Sequence, residues 1–164
     1  MAAYLIQMLM AFTGTIAFSV LFSVAPKHYL QCGLIGAGGW GVYLAANGAF
    51  GDPVTASLIS SFALTALARY LSVRTKTPAT VFLLTGIFTL VPGAGIFYTA
   101  YYLFFNRPDA ALSAGLGTLK TAIAIGLGIG IVYSIPGRVY GWKRDSEIWN
   151  ETAAGSRDQF TQND

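Results

Sequence analysis

The chain has 164 residues, of which 54% belong to the hydrophobic set and only 10% are charged, against about 25% charged in an ordinary soluble domain. With a mean hydropathy of +0.57, this composition excludes a soluble globular protein and places the chain in a lipid bilayer. The net charge is +3, and a single cysteine, Cys32, excludes a disulfide framework and a cysteine metal site.

A window of about 19 residues reads the chain as all-α, a polytopic bundle of five transmembrane helices at 3–25, 29–50, 54–72, 79–105 and 110–135. The first stretch has no Lys or Arg before it and is longer than the apolar core of a signal peptide, so it reads as a membrane span. Thr15, Ser19 and Ser23 form a weak polar series along it. The turn Pro26-Lys27-His28 follows, where His28 is expected to be solvated. In the second span Cys32 reads as a small buried hydrophobe. Gly33, Ala37, Gly41 and Ala45 recur every four residues, which lets helices approach closely where lipid provides no hydrophobic drive. The run Gly36-Ala37-Gly38-Gly39-Trp40-Gly41 has the spacing of a dinucleotide fingerprint, but a membrane span is the wrong setting, with no strand before it and no helix opening after it.

Beyond the turn Gly51-Asp52-Pro53, the third span carries Ser57, Ser61, Thr65 and Arg69 at four-residue intervals, a polar stripe along one helical surface. It either lines a path or bonds to neighbouring helices. Packing is favoured for the hydroxyls, and Arg69 suits an interface or a substrate role equally. The fourth segment is interrupted at Pro92-Gly93-Ala94-Gly95. The flanking stretches, 81–91 and 96–105, each fall well short of the roughly 20 residues a crossing needs, so they span only together, as one broken helix. Proline removes a helical hydrogen bond, and such a break survives in a membrane only where protein or a water-filled cavity satisfies the freed groups. A helix restarting near Gly95 would aim its positive end at mid-membrane, the arrangement by which broken helices hold anions. Thr89, Tyr98 and Thr99 would add hydroxyls. The other reading is an ordinary proline kink.

The turn Asn106–Asp109 leads into the last span, where Lys120 lies ten residues in, beside Thr118 and Thr121. It either faces a cavity and attracts an anion or snorkels to the interface. Ala122, Gly126, Gly130 and Ser134 repeat the small-residue pattern, and both small-residue series are expected to be buried between helices. A substrate carboxylate is accordingly expected to meet Pro92, Gly93, Gly95 and Lys120. The spans form a domain over 1–135, followed by a basic and polar tail over 136–164, whose Tyr140 and Trp142 beside Lys143 and Arg144 suit an interface anchor.

With five spans, Lys27, Arg69, Arg74, Lys76, Arg138, Lys143, Arg144 and Arg157 fall on one side and only Arg107 on the other. The positive-inside rule then sets the N-terminus outside and the C-terminus in the cytoplasm. A re-entrant hairpin at Pro92 would put the basic tail outside, so a single crossing fits better. Every carboxylate lies in a turn or the tail, so the chain holds no acid at membrane depth for a proton relay of its own. No nucleophile grouping, metal cluster or phosphate loop points to an enzyme, a cofactor or nucleic acid.

Thr77-Pro78-Ala79-Thr80-Val81-Phe82, followed by Leu90-Val91-Pro92-Gly93-Ala94-Gly95-Ile96 and Tyr98, resembles the signature of the C-terminal half of the threonine/serine exporter family. The resemblance implies a small inner-membrane subunit of a bacterial two-component exporter, paired in a hetero-oligomer with a larger protein corresponding to the N-terminal half. Fused members are associated with threonine and serine, and split pairs with succinate-like dicarboxylates. The rival expectation is a structural subunit that only scaffolds a transporting partner.

Overall fold

Helix boundaries follow the turn chemistry. The structure, a computed structural model, describes residues 2–75 and 77–135. Among these are six α-helices, one 3-10 turn and no strand: α1 (Ala2–Leu21), the turn Pro26–His28, α2 (Tyr29–Phe50), α3 (Pro53–Thr75), α4 (Ala79–Ile87), α5 (Gly93–Phe104) and α6 (Pro108–Ser134). Lys76 and the expected tail, with its anchor residues Tyr140, Trp142, Lys143 and Arg144, lie outside the described residues.

At the α2–α3 turn Gly51 takes φ 67° and its N–H donates to the Asn47 carbonyl at 2.9 Å, closing α2 in a left-handed conformation suited to glycine. Asp52 then caps α3. Its carboxylate accepts from the Thr55 hydroxyl at 2.6 Å and the Thr55 amide at 3.0 Å, with Pro53 at the first helical position. The hydrogen bond from the Thr55 hydroxyl is the main reason the Asp52 carboxyl lies below its ordinary range; the Thr55 amide adds to it, and the Lys120 ammonium contributes least. At the α5–α6 turn Asn106 takes φ 53° and the Arg107 N–H donates to the Tyr102 carbonyl at 2.9 Å before Pro108 opens α6.

Packing centres on α2 and α3. Helix α1 lies on α2, α4 on α2 and α3, α6 on α3, and α5 on α6. Cys32, Ile35, Leu64, Ala68, Phe82 and Ile125 join α2, α3, α4 and α6 in one cluster. Two glycines make the closest approaches possible: a Cβ at Gly36 would collide with the Thr15 side chain, and one at Gly128 would sit 2.8 Å from the Leu58 carbonyl oxygen. The small-residue series divide accordingly. On α2, Gly33 and Gly41 meet α1 side chains as expected, whereas Ala37 is only half-buried and Ala45, near the end of the helix, is exposed. On α6, Ala122, Gly126, Gly130 and Ser134 are all exposed, and no atom lies within 4 Å of a Cβ at Gly126 or Gly130. The reason is angular: Gly128 holds the α3 contact, and residues two positions away turn to another face. Helix α5 buries none of its residues.

Among the described residues three helices are long and apolar enough to cross a membrane: α1 over Tyr4–Leu21, α3 over Pro53–Thr75 and α6 over Pro108–Ser134; the expected second span, α2, has 22 residues but is not apolar enough to be one of them. Helix α4 has 9 residues and α5 has 12, about 14 Å and 18 Å at 1.5 Å per residue, so neither alone covers a hydrocarbon core of about 30 Å.

Candidate functional site

Proline and threonine together end α4. The Thr89 hydroxyl donates to the Gly86 carbonyl at 2.8 Å, and the Leu90 and Val91 amides both donate to the Ile87 carbonyl, at 2.9 and 3.2 Å. Pro92 has no N–H to offer Phe88. With φ −75° and ψ 59°, Pro92 instead centres an inverse γ-turn closed by the Gly93 N–H on the Val91 carbonyl at 2.7 Å. The interruption therefore occupies residues 88–92, and Gly93, Ala94 and Gly95 form the first turn of α5. That is a few residues earlier than a break centred on the Pro-Gly-Ala-Gly run, because proline is most compatible with a helix at its start.

The break leaves polar groups of both signs. Among the described residues the carbonyls of Phe88, Thr89 and Leu90 accept no hydrogen bond, and the amides of Ala94 and Gly95 donate none. Side chains do not cap α5. The negative end of α4 and the positive end of α5 thus meet across five residues of irregular chain.

Thr89 and Phe88 also line a cavity of about 430 Å³ that opens beside α1. Helix α1 contributes Ile6, Gln7, Met10, Gly14 and Phe18, and α2 contributes Trp40. Phe18 stacks on Phe88 with ring centroids 4.5 Å apart, which holds α1 against the break. Trp40 stacks on Tyr43, and its indole N–H is buried with no acceptor among the described residues.

The other expected site residues are distributed differently. Gly95 packs against Thr118, where a Cβ would collide with the threonine side chain, and Gly115 faces Thr99. These pairs set the antiparallel register of α5 and α6. Gly93 has no atom within 4 Å of a built Cβ and is exposed. The Thr99 hydroxyl donates to the Gly95 carbonyl at 2.7 Å. Tyr98 is half-exposed and stacks on Tyr102. Lys120 follows Thr118 by two positions, about 200° round α6, so it leaves the face that meets Gly95. It is exposed, its charge is felt by Asp52, and it forms no hydrogen bond or ion pair with the break among the described residues.

The α3 stripe is built into the bundle. Ser57, Ser61 and Thr65 are buried and donate to the carbonyls of Pro53, Leu58 and Ser61 at 2.7, 3.0 and 2.7 Å. Ser60 donates across to the Gly39 carbonyl at 2.6 Å. Arg69 donates to the Val132 carbonyl at 2.5 Å and sits over the Tyr133 ring at 5.3 Å, so a cation covers the C-terminal end of α6.

Sequence reasoning missed His28, Gln7 and Trp40. His28 is buried, not solvated: its Nδ1 lies 2.8 Å from Gln31 Oε1, its Nε2 3.2 Å from Thr77 Oγ1, and its ring meets the Phe82 edge. Pairing of one ring nitrogen with the first turn of α2 and the other with the α3–α4 connection lets a short polar loop fold inward. Trp40 stood inside the glycine run that was set aside, and its bulk among glycines was the available signal. Among the described residues no group of His, Cys, Asp and Glu is placed to hold a metal ion.

A family profile described as "Threonine/Serine exporter, ThrE" matches residues 7–135, well over half of the chain. No curated protein and no solved structure matches it.

Proposed function

Because the chain belongs to the threonine/serine exporter family, a family of membrane transporters, we propose that it is the small subunit of a two-component secondary exporter that moves small carboxylate-bearing metabolites out of the cell. In this reading it is a multi-pass protein of the bacterial inner membrane, crossing five times with α4 and α5 together as the fourth crossing, N-terminus outside and C-terminus cytoplasmic. A larger subunit of the same family completes the pathway and supplies the acids that its spans lack. The uncovered faces of α5 and α6 support such a partner, since exposed helix faces in this chain need lipid or protein against them.

The observation that carries the reading is the pair of opposed helix ends at residues 88–95. Unpaired carbonyls of Phe88, Thr89 and Leu90 attract an ammonium group, and unpaired amides of Ala94 and Gly95 attract a carboxylate. A zwitterionic amino acid complements both ends, whereas a dicarboxylate such as succinate complements only one, so threonine and serine are favoured over dicarboxylates. Thr89, Pro92 and Gly93 shape this site. Tyr98, Thr99 and Lys120 remain secondary contributors to it, and the Ser57, Ser61, Thr65, Arg69 stripe is assigned to packing.

Export assays in cells producing the chain with its larger partner test this. Gly93→Leu is the informative variant because its side chain enters open space, and it should slow amino-acid efflux about tenfold, the equivalent of roughly 1.4 kcal/mol. Lys120→Met should have a smaller effect. Undiminished efflux from Gly93→Leu at normal protein level would overturn the site. A fall in complex yield with unchanged turnover per complex would favour the scaffold reading instead.

A further inference from the structure

We propose that the cavity between α1, Trp40 and the break receives the side chain of the transported amino acid, and that the transporter therefore accepts large apolar side chains as well as hydroxylated ones. This rests on the exporter reading of the break. Its volume of about 430 Å³ lies within the roughly 300–1,000 Å³ range of small-molecule sites, which are mostly apolar with a few placed polar groups. A hydroxymethyl side chain would leave most of it empty. Ile6, Met10, Phe18 and Phe88 give it an apolar and aromatic wall, and among the described residues no Asp, Glu, Lys or Arg lines it, so the part of the ligand it holds is uncharged.

Continuity with the break gives the occupant its orientation. Thr89 and Phe88 line the cavity and also own two of the unpaired carbonyls, so a ligand whose ammonium sits at the end of α4 has its side chain directed along this wall. Trp40 lends the cavity part of an aromatic wall, the kind of surface that small-molecule sites use. Met10 supplies the adaptable thioether that accommodates side chains of different shape.

Gly14 makes the proposal testable. It lines the cavity, and a Cβ there meets no atom within 4 Å, so larger residues at this position fill the space from an unstrained start. Cells producing the full-length chain with its larger partner are loaded with dipeptides of serine, leucine and phenylalanine, and efflux of each free amino acid is measured. The unaltered protein should export leucine and phenylalanine as well as serine. Gly14→Leu should lower the ratio of phenylalanine to serine efflux by about tenfold, in line with what pocket contacts to an apolar group discriminate. Gly14→Ala should lower it less, and serves if the leucine variant accumulates poorly. Gly48→Leu, an equally open glycine outside the cavity, should leave the ratio unchanged. An unaltered ratio in both Gly14 variants would overturn the proposal, and is the result expected if the cavity only holds a lipid chain. Export of serine alone would also overturn it while leaving the exporter reading intact; no efflux of any amino acid would instead defeat the exporter reading.

Discussion

Gly93 and Gly95 stand two positions apart in one motif and do different things. Gly95 is a packing glycine, since any side chain strikes Thr118, whereas Gly93 is open. Gly95→Ala should therefore destabilise the α5–α6 hairpin by about 1–3 kcal/mol, the usual cost of overpacking, and Gly93→Ala should not; thermal unfolding of the detergent-solubilised protein would show it, and equal melting temperatures would refute the distinction. Asp52 offers a pH test at the same scale. Its folded pKa is depressed, chiefly by the Thr55 hydroxyl, so its contribution to stability is present above the unfolded pKa of about 3.9 and is lost as pH falls through the lower folded value. Asp52→Ala should lower the melting temperature near neutral pH, and the difference from the unaltered protein should shrink below about pH 4. A difference that stays constant down to acid pH would mean that the cap acts without its charge. The turn at Gly51-Asp52-Pro53 was legible in the sequence, but the capping role of Asp52 appears only with its bonds from Thr55. The sequence could not separate the two glycines, whose roles depend on a threonine 23 positions away from one of them.

Among the elements, the interrupted segment decides most. Pro92→Ala would restore an N–H opposite the Phe88 carbonyl and remove the fixed φ that centres the γ-turn. The expected outcome is a continuous helix through residues 88–92, slower amide exchange at those positions, and efflux reduced about tenfold, as for loss of one charge-dipole contact. Slow exchange with full efflux would show that the helix ends are dispensable. Four of the five segments read from apolar length coincide with single helices to within a few residues because turn residues bound them, and among the described residues three of these, α1, α3 and α6, are long and apolar enough to cross a membrane. The fourth resolves into α4 and α5. Its break was legible from Pro92, but its position at 88–92 was not, since that depends on Thr89 turning back on Gly86. The α3 stripe was legible as a pattern; its three hydroxyls are buried and donate to carbonyls of their own helix, and it is Ser60, outside the stripe, that bonds across to α2. Lys120 was read from composition as a lone cation in a span, and composition cannot tell which way it faces on α6.

At the scale of the whole molecule, the bundle is unevenly covered. Helices α2 and α3 are wrapped by α1, α4 and α6, while α5 buries nothing and α6 turns Gly126 and Gly130 outward with open space before them. Small residues on an exposed membrane face let another helix approach closely, so the partner's place in the proposed complex is the α5–α6 face. Cys32, the sole native thiol, is fully buried, which leaves an introduced Gly126→Cys as the reactive one. Maleimide should label Gly126→Cys readily in membranes containing the chain alone and poorly when the larger subunit is co-produced, while a cysteine at Gly48, exposed near the far end of α2, should label equally in both. Gly126→Leu should reduce co-purification with the partner without lowering the amount of the chain. Equal labelling of Gly126→Cys with and without the partner would move the interface elsewhere, and the open side of α6 would then face lipid.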